Sequence, residues 1–419
     1  MMIKPEEFPY IKSLHVNDCY AYKDFDIVLH DYQPFSHLIL TGKNGSGKST
    51  ILRAIDNYIL SWRGKTAFIG GETDPIKQIY QLESNIAHRA SQQGNDDSTV
   101  KTWQKKLIEF KKINLGYTVR PNTFWPVHKS ETIYSFLQAK REIPNKIEVN
   151  TVTKEADFTD KLLSNSTTES FIKEFKQYLV NQKVYQAFNQ LNNDKDKIEN
   201  SERFFIVLTD TFRKIFEDDT LELVFVQESF EFYIKLSDSR QLTFDTLSEG
   251  FSALLSILMD LFMRVDLIRK QVGDYSYNPC GIVLIDEPET HLHLELQYQV
   301  LPLLASLFPN IQFIAATHSP AVISSVKKAT IFDLTTKVTE TDDVAGKSYS
   351  ELMVTHFGLE NEYSNIADEI ISQVNLALRE LKEDKIKLRQ KLEEILEVNG
   401  QYLSPTLRVE LESMILQNV

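Results

Sequence analysis

A chain of 419 residues, 42% hydrophobic and 25% charged, can bury a sizeable core and has the length of two or three domain-sized pieces. Its net charge of −13 excludes a uniformly basic coat for nucleic acid. Its two cysteines, Cys19 and Cys280, form neither a disulfide framework nor a metal-ligand spacing, which fits a reducing compartment.

Met1–Tyr10 is charged, carries Pro5 and Pro9, and lacks the apolar core of a signal peptide, so a cytoplasmic protein is expected. Ile11–Val16 and Phe25–Leu29 alternate, as antiparallel strands with one buried face do. Leu38–Leu40 is a short apolar strand that feeds a glycine-rich loop, and Thr50–Leu60 then reads as a helix. From Ser61 to Glu202 the pattern changes. Gly70-Gly71, Gln92–Ser98 and Asn192–Lys197 are polar breaks, Thr102–Ile113 and Ser170–Leu191 have helical spacing, and Thr132–Leu137 has the look of a strand. The stretch has room for a short coiled-coil hairpin but holds no sustained heptad run. Lys101–Glu148 contains ten Lys/Arg against four Glu and no Asp, a local charge of +6 that would suit phosphates or simply a solvated face.

A helix at Phe204–Phe216 and strands at Leu221–Val226 and Phe230–Leu236 follow. The turn Leu247–Gly250 opens a strongly apolar helix reaching Ile268, which Asp260, Arg264 and Asp266 interrupt too often for a membrane span. Ile282–Ile285 and Ile311–Ala316 are apolar runs of the kind buried in parallel sheets. Beyond Gly358 the chain reads as helical, with mixed charges at Leu381–Glu397 and a break at Val398–Gly400. The expected divisions are 1–60 and 204–357 as two halves of a head, 61–203 as an insertion between them, and 358–419 as a helical tail.

Four short motifs carry chemistry. Gly42-Lys-Asn44-Gly45-Ser-Gly47-Lys48-Ser49, with Thr50 after it, fits G-x-x-x-x-G-K-[ST]. Its glycines let backbone N–H groups approach phosphates, Lys48 would reach the β- and γ-phosphates, and the Ser49 hydroxyl would ligate Mg²⁺. The apolar Ile282–Ile285 run ends in Asp286-Glu287, which a parallel strand would deliver to the sheet's carboxyl edge. There Asp286 can hold Mg²⁺ through water, and Glu287 can act as general base on the attacking water. His318, just past the next apolar run, would face the γ-phosphate by the same argument. Ser248 and Gly250 stand at a helix N-terminus, which is either a plain cap or an anion site. His291 and His293, two residues apart without a third ligand, make a poor zinc site.

These four motifs in this order resemble the ABC-type ATPases, particularly the SMC/RecF branch, over about residues 10–60 and 204–335. The resemblance implies an α/β ABC-ATPase head: a P-loop fold with a mixed sheet, antiparallel N-terminal strands, an α-rich insertion and a helical C-terminal tail. It also makes Ser248 and Gly250 a signature motif completing ATP on an opposing subunit, and Pro288–His293 the D-loop along that interface. Glu249, Phe251 and His293 replace the usual Gly, Gln and Asp. Gln138, after the Thr132–Leu137 strand, is the candidate for the glutamine that touches Mg²⁺. Tyr20, Tyr22 and Phe25 are candidates for stacking on adenine, with strand-face packing as the alternative for each.

Within that branch, the wording Leu-Ser-Glu-Gly-Phe-Ser-Ala, Ile-Asp-Glu-Pro-Glu-Thr-His-Leu-His and Ala-Thr-His-Ser-Pro is similar to prokaryotic defence-island ATPases. These include the PtuA component of Septu, AriA-type sensors and the ATPase half of the overcoming-lysogenisation-defect nucleases. The resemblance implies ATP and Mg²⁺ as cofactors, a homodimer or higher oligomer, and a separately encoded effector, an HNH or Toprim nuclease. No nuclease signature is seen after Gly358. A RecF-like repair clamp, binding DNA through Lys101–Lys146, is the alternative; a transporter subunit is disfavoured by the long insertion and the lack of LSGGQ wording.

Overall fold

In the computed structural model the described residues are 2–63, 74–121, 124–128, 130–140, 172–341, 365–381 and 384–417, with 149, 151–153, 347, 351–353 and 355. The break at Gly70-Gly71, the end of the Lys101–Glu148 stretch from 141 to 148 and the tail's start at Gly358 lie outside them. The chain divides into two units, Met1–Lys347 and Ser348–Val419.

The first unit begins with β1 (Ile11–Cys19) and β2 (Tyr22–Val28), paired antiparallel as their alternation predicts. β1 buries Ile11, Leu14, Val16 and Cys19 and turns the intervening residues outward. Next come β3 (His37–Thr41), α1 (Lys48–Trp62), α2 (Pro75–Gln93) and α3 (Ser98–Phe110). Asp74 and Asp97 cap α2 and α3 through backbone N–H groups of their first turns. The helix expected to run to Ile113 stops at Phe110, because Ile113–Tyr117 is a strand, β4, on the other side of β1.

After the short helix α4 (Trp125–His128), β5 (Ile133–Leu137) enters the central sheet. Thus β4 and β5, both within the 61–203 stretch, pair with strands outside it. Helices α5 (Ile172–Leu191) and α6 (Lys195–Phe216) are joined by a short turn. The helix expected from Phe204 begins at Lys195, its polar first turn capped by Asp194. A small antiparallel sheet follows, of β6 (Glu222–Val226), β7 (Glu231–Lys235) and β8 (Gln241–Leu242).

Helix α7 (Glu249–Val272) is buried at every residue from Ala253 to Ile268 and ends on left-handed Gly273. β9 (Gly281–Asp286), α8 (Leu294–Leu307), β10 (Ile311–Ala316), α9 (Pro320–Ser325), β11 (Ala329–Asp333) and β12 (Val338–Glu340) complete the unit. The central sheet has the order β12-β11-β3-β10-β9-β5, parallel except for β12, so it is mixed. β3, β5, β9, β10 and β11 are buried at every residue, as strands covered on both faces must be.

Among its described residues the second unit holds the helices α10 (Asn365–Glu380), α11 (Lys385–Asn399) and α12 (Pro405–Gln417). They share a core of Ile370, Val374, Leu388, Leu392, Ile395, Leu411 and Ile415. Among the described residues no helix is long and apolar enough to cross a membrane.

Candidate functional site

Three neighbouring parallel strands, β3, β10 and β9, end together, with Ala316 opposite both Leu40 and Asp286. Whatever follows each strand therefore meets at one sheet edge, the place where open α/β sheets bind ligands. β3 is followed by the Gly42–Ser49 loop, β9 ends in Asp286-Glu287, and β10 is followed by Thr317-His318.

The loop returns into α1 through Gly47, whose φ of 85° is left-handed. A Cβ there would lie 2.7 Å from the Tyr20 ring, so both backbone and space require glycine. Asn44 and Gly45 are exposed at the loop's apex. Lys48 is buried; its Nζ donates to Gly42 O at 2.9 Å, Lys43 O at 3.3 Å and Ser46 Oγ at 3.4 Å. Burial pulls the Lys48 ammonium down to about 8, against the opposing attraction of Glu287, Glu289, Asp286 and Asp333.

The same Nζ lies 3.3 Å from His318 Nδ1. An ammonium only donates, so Nδ1 accepts and the ring is the neutral Nε2–H tautomer. Burial, and then the charge of Lys48, hold the imidazole below its ordinary value while Glu287 opposes them. Ser49 Oγ donates to Asp286 Oδ1 at 2.9 Å. These two oxygens, one from each motif, are the donor set a hard cation takes. Glu287 leaves the strand at a left-handed φ of 50°, its N–H on Ala316 O at 2.8 Å, and Thr290 Oγ1 donates to its Oε2 at 3.3 Å. Left-handed backbone is uncommon for a residue with a Cβ and here turns the chain sharply at the sheet edge.

The structure thus gathers Gly42, Gly45, Gly47, Lys48, Ser49, Thr50, Asp286, Glu287 and His318. Gln138 directly follows β5, where Leu137 pairs with Ile285, so it stands exposed at the level of Asp286. Ser248 and Gly250 belong to the turn that opens α7. Ser248 starts α7 with its side chain exposed and unused as a cap. A Cβ on Gly250 would come within 2.6 Å of His291 O, so the turn abuts the Pro288–His293 segment of the same chain. His291 Nδ1 is 3.5 Å from Glu249 Oε2, and no metal-ligating group of three or more His, Cys, Asp or Glu occurs among the described residues.

Of the aromatic candidates, Phe25 stacks on Phe332 and Tyr22 meets Phe25 edge-on, while Tyr20 is 62% exposed beside Gly47. Sequence reasoning missed the turn behind the P-loop, where Thr335 Oγ1 accepts the Lys43 N–H at 3.0 Å. It also missed Glu289, whose Oε1 accepts the His318 N–H at 2.7 Å. Glu289 stood inside a motif already quoted; Thr335 had no local signal at all.

A buried strand, a phosphate-type glycine loop, a helix, and an acidic strand end beside them define a P-loop nucleoside triphosphatase. The family described as "AAA domain, putative AbiEii toxin, Type IV TA system" matches residues 38–324, and the chain belongs to it. It is an ATP-binding member of the P-loop ATPases. It is 26% identical over 367 residues to the "Retron Vc95 probable ATPase" of Vibrio cholerae serotype O1 biovar El Tor, covering 72% of this chain and 71% of that one. It is 23% identical over 370 residues to the "Septu protein PtuA" of Bacillus thuringiensis, covering 83% and 85%. Among solved structures, an Smc head bound to the C-terminal winged-helix domain of ScpA covers 77% of this chain and 94% of that one, at TM-score 0.36 and 16% identity.

Proposed function

We propose that this chain is the ATP-hydrolysing regulatory subunit of an anti-phage defence complex and controls a separately encoded effector, an HNH or Toprim nuclease. The observation that carries the enzymatic half is the convergence of Lys48, the Ser49–Asp286 pair, Glu287 and His318 at one sheet edge. The regulatory half is supported by the Septu and retron ATPases to which the chain is similar.

In this reading Lys48 exchanges its loop carbonyls for the β- and γ-phosphates. Ser49 and Asp286 hold Mg²⁺, with Gln138 as a further ligand. The metal supplies neutralisation of the triphosphate charge. Glu287 takes the proton of the attacking water, and His318 faces the γ-phosphate. Ser248, exposed at the start of α7, and Gly250 beside it complete the site of a second copy, so that ATP clamps a dimer. The head comprises 1–60 and 204–357 with β4 and β5 of the intervening stretch, and 358–419 is the surface for the effector. The clamp-on-DNA reading has less support, because Lys101, Lys111 and Lys112 are each paired with a carboxylate: Asp96, Glu83 and Glu109.

Co-expression with the product of the neighbouring gene provides the test. The expected result is a stable complex that hydrolyses ATP and protects host cells from phage only when Lys48 and Glu287 are intact. A chain that turns over ATP, purifies alone and protects no host would sink the regulatory half. Absence of turnover would sink the enzymatic half too.

A further inference from the structure

The motif residues account for where His318 sits but not for what keeps it there. It lies on the Thr317–Ser319 connection between β10 and α9, one residue past Thr317, whose N–H still donates to Leu40 O of β3 at 3.0 Å. Two side chains from the segment after β9 hold that connection on either side of the imidazole. Glu289, three residues past Asp286, accepts the His318 backbone N–H at 2.7 Å. One residue on, Ser319 Oγ donates to Gln297 Oε1 at 2.6 Å, while Gln297 Nε2 donates to Leu292 O at 2.8 Å. Gln297, on α8, therefore spans the gap between the end of the Pro288–His293 turn and the His318 loop. The left-handed φ of Glu287 turns the chain at the sheet edge, and the Glu289 carboxylate lies back against β10's exit. Both bonds lie at the short end of the ordinary range for their type, and one has a carboxylate acceptor.

We propose that Glu289 and Gln297 are positioning residues for ATP hydrolysis: they fasten the His318 loop to the turn after Asp286-Glu287. The imidazole, Glu287 and Lys48 then keep one geometry, in which His318 Nδ1 stays 3.3 Å from Lys48 Nζ. The proposal rests on the roles given above to Glu287 and His318. A displacement of about 1 Å at such a site is enough to cost on the order of 100-fold in rate. Helix capping alone would need only Ser319, which already accepts the Val322 N–H at the start of α9.

The experiment uses the full chain with any partner it requires, measuring kcat, KM for ATP and Tm. Glu289→Leu and Gln297→Met should each lower kcat about 10- to 100-fold, with KM within about threefold of wild type. Glu289→Gln keeps a carbonyl oxygen where the acceptor stands, and should stay within about threefold of wild type. In a His318→Ala background, followed by single turnover, neither Glu289→Leu nor Gln297→Met should lower the rate further, because both act through the residue already removed. Equal losses in the His318→Ala and wild-type backgrounds would overturn the proposal, as would Glu289→Gln being as impaired as Glu289→Leu. So would a His318→Ala chain as active as wild type. If Glu289→Leu does not fold, Gln297→Met carries the same comparison from the other side of the loop. Wild-type protein without turnover would instead refute the function on which the proposal stands.

Discussion

The carboxyl edge of the central sheet and the interior of α7 both bury ionisable side chains, and they treat them in opposite ways. Inside α7, charge is closed on itself. Arg264 donates to both oxygens of Asp260, at 2.7 and 3.1 Å, and Ser135 Oγ adds a third bond at 3.0 Å. Two turns on, Asp266 accepts the Tyr178 hydroxyl and lies 3.1 Å from Lys270, which also donates to Gln182 at 2.8 Å. At the sheet edge, Lys48 Nζ shares its three N–H bonds among two carbonyls, a hydroxyl and His318 Nδ1, all neutral, and burial weakens its hold on its proton. A buried charge that already has a counter-charge is structural. One resting on neutral acceptors has charge to spend on a ligand, and such groups concentrate at functional sites.

The largest expected effect is at Glu287. Glu287→Gln should lower kcat about 1,000-fold while nucleotide affinity stays within a few-fold, so that an ATP-bound dimer accumulates on a sizing column. Near-normal turnover in that variant would remove the general base from the sheet edge and with it half of the contrast. Next comes α7. Asp260→Ala removes the carboxylate to which Arg264 donates twice inside the core and should cost about 3–5 kcal/mol of stability, read by urea unfolding. The kcat per folded molecule should stay within about twofold, and Asp260→Leu with Arg264→Met should restore most of the stability. A large loss of kcat at unchanged stability would make α7 part of the chemistry. Lys48→Ala follows, with nucleotide binding about 100-fold weaker by titration calorimetry and little loss of stability. Wild-type affinity in that variant would mean that Lys48 spends nothing on a ligand.

Much of the sheet edge was legible because each piece announces itself locally. A glycine loop between Leu38–Leu40 and a helix, and Asp286-Glu287 after four apolar residues, need no knowledge of distant chain. The pairings that gather them were not legible. β5 lies beside β9 across some 150 residues of sequence, and nothing in Ile133–Leu137 says which strand it will meet. β11 is five buried residues without alternation, and β4 follows α3 so closely that its first residue extends the helical spacing to Ile113. Thr335 and Gln297 touch the site only through tertiary contact, so no spacing rule could single them out. The polar interruptions Asp260, Arg264 and Asp266 were visible, and they excluded a membrane span. That Asp260 pairs with Arg264 and Asp266 with Lys270 depends on the i, i+4 geometry of a helix, and the further bond to Asp266 on Tyr178 arriving from α5.

His37 offers a third treatment of a buried ionisable group, smaller in effect and sharper in sign. It begins β3 and is buried between Phe35 and Phe313; its Nδ1 accepts the Phe313 N–H at 3.0 Å. Burial, with a smaller push from Lys328, lowers it from 6.5 to about 4, so the ring is neutral in the folded protein. Above pH 6.5 neither state binds the proton, and His37 imposes no penalty. As pH falls from 6.5 towards 4, the unfolded chain takes up a proton that the native site refuses, and stability drops by up to about 1.4 kcal/mol per pH unit. His37→Asn keeps an acceptor for Phe313 without a titrating group. It should cost some packing at pH 7.5 but show a shallower loss of urea midpoint between pH 6.5 and 5 than wild type. Subtracting the two profiles cancels the other titrating groups. Identical slopes would mean that protonation opens this end of β3 locally, so that its burial, unlike that of the α7 charges, is not coupled to global unfolding.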